Sequence, residues 1–527
     1  MNAYRHLLCS VLLASPLFSS FATAAEPGCK YVEVARLPLR YAGIGLDITT
    51  EGSINGTAAT MIVDTGSFQT LLTRTATERR KLALRNTGES AYGIGGNAWI
   101  YQTRVDEFSI GPAKSGRTWL RVLTEFGTRP HYEALVGAPF LLQSDLEISL
   151  ATKELKFFRP KNCGDHFLGY WDQNAVVLPF DKHMHAAANP HFTVVVNGVK
   201  LDAIIDSGAS TSFVTLNAAR RAGLALDAPE LVRAGEATGV GTRKVARWRT
   251  TFKRFEIGDE VVHNAEVGVL DYEGTAEVLL GADFLRAHRV LFAMSQEKIY
   301  LSYIGGEPFG QRHTLEPWIQ AEAEAGNADA QMALATYYMA GKLVPRDPAL
   351  AAQWAEKAAR AGNAEANILT GHKLLLESKY GEAVTRLRAG LDKLPTHHAA
   401  ALDLYLARVR SGQAELARTE LADARLANRD NEWPAPITDF YLGKLNAAQV
   451  LAAAAKDAKL SRDRSCQTVQ AMGQWHSAHG DQAALPALAE QRTSLGCLNA
   501  AAGLPRPQSP QPPPQGRVSA GAGGALQ

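Results

Sequence analysis

The chain has 527 residues, 46% apolar and 20% charged, the balance of a globular protein with room for about two to four domains. Lys and Arg number 55 and Asp and Glu 53, so the net charge of +2 advertises neither nucleic acid nor an anionic membrane as partner. No uninterrupted apolar run reaches the ~18 residues of a membrane span, so no mature span is expected.

The chain opens on a processing segment. Met1 to His6 carries Arg5 and no acid, an apolar run follows from Leu7 to Phe18, and Phe21-Ala22-Thr23-Ala24-Ala25 suits cleavage after Ala24 or Ala25. Residues 1–25 therefore read as a signal peptide, with an uncleaved anchor as the alternative. The expected location is the periplasm or the extracellular space. Export leaves Cys29, Cys163, Cys466 and Cys497 in the mature chain. Cys29 opens it, Cys163 falls where the first lobe ends, and Cys466 and Cys497 sit on adjacent helical segments. The expected disulfides are Cys29–Cys163 and Cys466–Cys497.

An internal duplication organises the next stretch. Asn55 to Leu84 laid over Asn197 to Leu226 gives eleven identities in thirty positions, where average residue usage gives roughly two. Ala91-Tyr92-Gly93-Ile94-Gly95 answers Ala237-Thr238-Gly239-Val240-Gly241, Phe108-Ser109-Ile110-Gly111 answers Phe255-Glu256-Ile257-Gly258, and Leu135-Val136-Gly137-Ala138 answers Leu279-Leu280-Gly281-Ala282. Two homologous β lobes follow, over 26–165 and 166–304. Asn55-Gly56 and Asn197-Gly198 between apolar runs predict hairpins. Met61-Ile62-Val63 and Ala203-Ile204-Ile205 are short buried strands. Each runs into a polar turn, Asp64-Thr65-Gly66-Ser67 and Asp206-Ser207-Gly208-Ala209. Short helices are expected from Ala76 to Ala83 and from Ala218 to Ala225.

An acid at the end of an apolar strand is costly to bury unless paired. Two of them, at matching places of a duplicated lobe, would face each other across a pseudo-twofold axis and share one proton. The ionised member can take a proton from a water, and the neutral member can polarise a carbonyl.

These residues resemble the aspartic protease family, in its retropepsin-like and pepsin-like group. The family pattern, two apolar residues, Asp, Thr or Ser, Gly, then Ala or Ser, is matched at Ile62-Val63-Asp64-Thr65-Gly66-Ser67 and at Ile204-Ile205-Asp206-Ser207-Gly208-Ala209. Its later apolar-apolar-Gly element is matched at Leu135-Val136-Gly137 and Leu279-Leu280-Gly281, with glycines 73 and 75 residues after the respective Asp. The resemblance implies that Asp64 and Asp206 are the catalytic dyad and that Thr65 and Ser207 interlock the turns. Gly66, Ser67, Gly208 and Ala209 complete the active-site turns. The Gly-rich segments fall where the family has flaps, so Tyr92, Gly93, Gly95, Gly239 and Gly241 are candidate substrate-binding residues; two ordinary hairpins are the alternative. The mixed Ser67/Ala209 pair leaves the pH optimum open: a Ser hydroxyl can donate to the neighbouring carboxylate and lower the apparent pKa of the dyad, and a mildly acidic optimum is the expectation. The mature chain starts ~38 residues before Asp64, most of it used by the first strands. That leaves no room for a long pro-segment, so control by its removal is not expected. With both halves in one chain a dimer is not needed, and a monomer is expected. His183, His185 and His191 surround the inter-lobe region but lack an acidic third ligand, so they read as a polar loop, and no metal or cofactor is implied. His397-His398 reads as a solvated helical connector.

After a linker at 305–317 the chain turns Ala-rich with helical spacing. Ala325-Gly326-Asn327-Ala328-Asp329-Ala330 returns 36 residues later as Ala361-Gly362-Asn363-Ala364-Glu365-Ala366. This is similar to a Sel1-like repeat, a relative of the tetratricopeptide repeat, in an all-α repeat domain over 318–500. Further helical pairs are expected over Tyr380 to Leu394 and Ala399 to Arg425, and Tyr441 to Cys497 resembles a terminal tetratricopeptide unit. Such helices offer a groove for a peptide or protein, with a mere packing appendage as the alternative. Residues 501–527 form a Pro/Gln/Gly-rich tail expected to be disordered. The whole reads as a multidomain protein, an all-β bilobal aspartic protease followed by helical repeats. Its expected activity is that of an exported aspartic endopeptidase, a hydrolase acting on a peptide or protein substrate. The rival readings are a non-catalytic peptide clamp or envelope scaffold, and a processor of one dedicated partner.

Overall fold

Asn-Gly pairs set the first register of each lobe. Asn55 and Gly56 take φ of 52° and 73°, and Asn197 and Gly198 take 49° and 84°, the left-handed pair that a tight hairpin requires. They join Asp47–Ile54 to Thr57–Asp64 and Phe192–Val196 to Val199–Ile205. The structure, a computed structural model, describes residues 28–126, 130–180, 189–225, 227–309, 314–427 and 433–497. The expected signal peptide and the expected Pro/Gln/Gly-rich tail, with His183 and His185, lie outside the described residues.

Strands fill the chain from Lys30 to Tyr303, and helices fill it from Pro317 to Ser494. Each lobe folds its own sheet, and a third, six-stranded sheet is shared. Lys30–Pro38, Asp145–Ser149 and Glu154–Lys161 enter it from the first half, and Val176–Pro179, His288–Ala293 and Lys298–Tyr303 from the second. The halves join where Leu146–Ile148 pairs with Val290–Phe292. Burying Glu147 in this sheet is compensated by Arg289 at 2.8 Å and by the Tyr170 hydroxyl at 2.5 Å. Cys29 is bonded to Cys163 and Cys466 to Cys497, as the spacing predicts.

The short helices differ from expectation. They run Arg74–Arg79 and Leu216–Arg221, earlier than the alanine spacing indicates. Thr73 and Thr215 cap them, their hydroxyls accepting from the N–H of Ala76 and Ala218, and these caps set the starts.

The repeat helices are built on their 36-residue echo. Asn327 and Asn363 cap Ala328–Ala340 and Ala364–Leu376, and Gln331 and Asn367 each donate to a carbonyl of the preceding helix, Ala323 O and Ala359 O, at 2.9 Å. His397 is not merely solvated: its Nδ1 accepts from the N–H of Ala400 and caps His398–Arg410. The helices dock on the first lobe. Asp329 accepts from Gly43 N at 2.7 Å, Asn327 donates to Tyr41 O at 3.0 Å, and Arg79 donates to Lys393 O at 2.9 Å. One buried cluster runs unbroken from Met61 through Phe284 to Ile319, Leu334 and Trp354. Among the described residues, no helix is long and apolar enough to cross a membrane.

Candidate active site

Asp64 ends its strand beside Gly137 in a parallel pair, Met61–Asp64 against Ala134–Gly137. In the second lobe Ala203–Ile205 lies parallel to Val278–Leu280, and Asp206 N donates to Leu280 O at 2.9 Å. Apolar strands thus drive both acids to the floor of the space between the lobes, where each is half-buried. Each turn closes the same way, Ser67 N on Asp64 O at 3.2 Å and Ala209 N on Asp206 O at 3.3 Å.

The turns are locked reciprocally. Thr65 N donates to Ser207 Oγ at 3.1 Å, and Ser207 N to Thr65 Oγ1 at 3.0 Å. Thr65 Oγ1 donates to Ile205 O at 2.7 Å, and Ser207 Oγ to Val63 O at 2.8 Å. Both hydroxyls are buried, so each donor and acceptor is spoken for within the lock. The lock leaves no room at the glycines: a Cβ on Gly66 would overlap the Asp206 carboxyl, and one on Gly208 the Asp64 carboxyl. Gly137 and Gly281 are equally constrained, since a Cβ would collide with the Gln69 and Ala209 carbonyls.

Each carboxyl packs against the glycine of the opposite turn and lies within electrostatic reach of the other. Burial, then the charge of Asp206, hold Asp64 well above the usual carboxylate range. Burial also raises Asp206, but the N–H groups of Gly208, Gly66 and Ala209 favour its ionised form. Two carboxyls this close do not both ionise readily, so the pair holds on to one proton over a range where an isolated carboxyl has lost it. The Ser67 hydroxyl is not the group that tunes the dyad: it donates to Gln69 O at 2.9 Å, and backbone N–H groups of Gly66 and Ser67 do that work on Asp64.

The Gly-rich hairpins meet over this floor. Arg85–Gly93 and Gly96–Val105 form the first, Val232–Ala237 and Val245–Ile257 the second. Gly95 N donates to Val240 O at 2.7 Å, Arg243 N to Gly95 O at 2.9 Å and Gly241 N to Glu125 O at 3.0 Å. Gly241 has φ of 93° and lies so close to Gly95 that a Cβ would strike its backbone. Gly93 abuts Val240, and Gly239 abuts Ile94. The Tyr92 ring stacks on Tyr272 of the other lobe, centroids 6.1 Å apart.

Residues 50–132 match the family model described as "Aspartyl protease", and residues 192–287 the one described as "gag-polyprotein putative aspartyl protease". Residues 328–363 match the Sel1 repeat. The chain carries aspartyl protease family lobes and a Sel1 repeat. No curated protein matches it. Among solved structures it is similar to an aspartic proteinase from Irpex lacteus, at 13% identity over 52% of this chain and 98% of that one, with a TM-score of 0.32. It is also similar to Basic 7S globulin from soybean, at 9% identity over 51% and 94%, with a TM-score of 0.30.

Four residues of the protease lobes escaped the sequence reading. Asp283, buried, takes both the N–H (2.8 Å) and the hydroxyl (2.6 Å) of Ser212, whose Oγ in turn accepts from Gly281 N at 2.9 Å. Asn189 donates to Ile205 O at 3.1 Å, beneath the Asp206 turn. Tyr132 and Tyr272 stand close enough to Asp64 and Asp206 that those charges help raise their hydroxyl pKa, after burial as the main cause. An acid two residues after the Leu-Leu-Gly element was the one visible signal, for Asp283. Of the inter-lobe histidines, His191 is described, and its Nδ1 lies 2.7 Å from Asp202. Among the described residues, no group of three or more His, Cys, Asp or Glu is placed to hold a metal ion.

Proposed function

We propose that the protein is an exported aspartic endopeptidase in which Asp64 and Asp206 hydrolyse a peptide bond with a water held between them. The observation that supports this reading is the reciprocal lock of Thr65 and Ser207, which holds two half-buried carboxyls against each other. Asp206, ionised, takes a proton from the water as its oxygen attacks the carbonyl carbon. Asp64, protonated, gives its proton to the carbonyl oxygen. The tetrahedral gem-diol collapses as the proton on Asp206 passes to the leaving nitrogen and a gem-diol hydroxyl returns its proton to Asp64. The C–N bond breaks, no covalent intermediate forms and both carboxyls end as they began. The hairpin tips of residues 92–96 and 238–242 close over the peptide, and their backbone groups offer it strand-type hydrogen bonds. The helical repeats give a protein-binding surface fixed to the first lobe. Two disulfides favour an oxidising compartment, periplasmic or extracellular.

The test is cleavage of a diverse peptide library by the mature protein from pH 3 to 8, beside Asp64→Asn and Asp206→Asn. Loss of cleavage in either variant supports the dyad; no cleavage by folded wild type at any pH refutes a general peptidase. A second reading, a peptide clamp without turnover, is favoured by one observation: the hairpin tips are already hydrogen-bonded to each other across the cleft.

A further inference from the structure

The two walls of the cleft have diverged in chemistry. In the first lobe Ile62, Leu71, Ile100, Leu123 and Leu135 are buried together under Tyr132. The hydrogen bonds identify their counterparts. Leu123 pairs with Thr73 and Leu270 with Thr215, in matching parallel ladders. Across the neighbouring antiparallel ladders, Leu123 faces Ile100 whereas Leu270 faces Arg247. Arg247 therefore stands where the first wall has Ile100. Tyr132 precedes Glu133, whose carbonyl accepts from Thr73 N at 2.9 Å, and Ala276 precedes Glu277, whose carbonyl accepts from Thr215 N at 2.8 Å. Ala276 therefore stands in place of Tyr132, and Phe213, whose ring meets Tyr272, stands in place of Leu71. Leu279, the counterpart of the buried Leu135, is only half-buried.

Arg247 lies along this wall. Its Nε is 3.7 Å from where a Cβ on Gly268 would sit, and that same point is 3.5 Å from Phe213 Cβ. Phe213 meets the Tyr272 ring at 6.3 Å, and Tyr272 reaches the field of Asp206. A peptide filling the cleft strips water from a half-buried guanidinium, which is costly unless an anion replaces that water. Five donors let Arg247 keep its present partner and still take a carboxylate. The surrounding hairpin has the same sign. Residues 232–249 carry Arg233, Arg243, Lys244, Arg247 and Arg249 against the single acid Glu236, whereas residues 85–102 carry one Arg and one Glu.

We infer that the second lobe receives an acidic stretch of the peptide, with Arg247 as the specificity determinant and Arg243 and Lys244 steering acidic chains to that side. This rests on the reading of the cleft as a peptide site. The test uses fluorescent peptides with a Leu-Leu centre flanked on one side by Glu, Gln or Lys, made in both orientations. Binding to the full-length mature Asp64→Asn protein is read by fluorescence anisotropy at low and high salt, and hydrolysis by the wild type is read in parallel. In one orientation the Glu peptide is expected to bind about tenfold more tightly than the Lys peptide, the scale of a charge-assisted pair. Arg247→Gln should shrink that ratio to about twofold, and Arg247→Glu should invert it. The exposed pair Arg243→Gln/Lys244→Gln, which leaves the wall intact, should weaken the salt dependence and keep the preference at high salt. Equal binding of Glu and Lys peptides, or a preference untouched by both Arg247 variants, overturns the inference. A charge preference in binding without hydrolysis supports it and sinks the peptidase reading; hydrolysis without charge preference does the reverse.

Discussion

Replacing Thr65 with Val tests the lock that brings the two acids together. The side chain is fully buried, and Val keeps its branched shape while removing the hydroxyl, so the loss falls on the hydrogen bonds. Its hydroxyl makes two bonds, to Ile205 O at 2.7 Å and from Ser207 N at 3.0 Å. Ile205 O keeps a donor in Asn189 at 3.1 Å, so the group left orphaned is the Ser207 N–H. One net hydrogen bond of about 1 kcal/mol plus an unsatisfied buried donor at about 1–3 kcal/mol gives a loss of ~2–4 kcal/mol. Ser207→Ala removes the symmetry-related bonds and should cost a similar amount. Since both hydroxyls clamp the same two turns, the double variant should fall short of the sum by about 1 kcal/mol. Urea unfolding followed by circular dichroism reads the stability, and peptide turnover reads the dyad geometry. A Thr65→Val protein within about 0.5 kcal/mol of wild type, the ordinary surface-substitution range, would refute the reasoning, as would unimpaired turnover.

Three further outcomes are expected. Burial raises the folded pKa of Asp64, so the folded state holds a proton that the unfolded chain has lost above the usual carboxylate range. That contribution is complete below the unfolded pKa and fades as pH rises through the folded one. Asp64→Asn should therefore match wild-type thermal stability near pH 3–4 and exceed it increasingly toward neutral pH; a constant offset across that range would argue against a shared proton. Gly241→Ala places a methyl against the Gly95 backbone at φ 93°, so the hairpin tips cannot close, and turnover should fall by about tenfold or more with little change in melting temperature. Cys29→Ala/Cys163→Ala opens a link across 134 residues, and the chain-entropy model puts the loss at about 4–5 kcal/mol, readable by urea unfolding under non-reducing conditions.

What the sequence made legible was local and repeated. Asn55-Gly56 and Asn197-Gly198 announced their hairpins because a left-handed pair has few residue solutions, and the Asp-Thr-Gly-Ser and Asp-Ser-Gly-Ala turns announced themselves by recurring at a fixed offset. The 36-residue echo of Asn327 at Asn363 reflected two helix caps that must occur once per helical pair. The rest depended on distance. Asp283 grips Ser212 from 71 residues away, and no spacing rule links an acid to a hydroxyl across a fold. The starts of the short helices were misplaced because Thr73 and Thr215 end a strand and cap a helix at once, and only the three-dimensional turn shows the second role. Ser67 was assigned to the carboxylate because it is adjacent in sequence, yet its proton goes to Gln69 O, where the turn geometry aims it.

The duplication also separates what the shared chemistry requires from what each half is free to change. Where the two turns must touch, the halves remain interchangeable: Thr65 and Ser207 each offer one hydroxyl, and Gly66 and Gly208 each leave room for the opposite carboxyl. Away from the axis that requirement lapses, because a wall residue does not touch its own counterpart. There Ile100 has become Arg247 and Tyr132 has become Ala276. A two-fold symmetric floor under asymmetric walls suits a peptide, since a peptide has direction and the water attacking it does not. Making the second wall resemble the first, by Arg247→Ile with Ala276→Tyr, should therefore leave the proton-sharing dyad and its pH dependence of stability in place while erasing the preference for one peptide orientation. Loss of the dyad's pH signature in that variant would show that the walls and the floor are not separable.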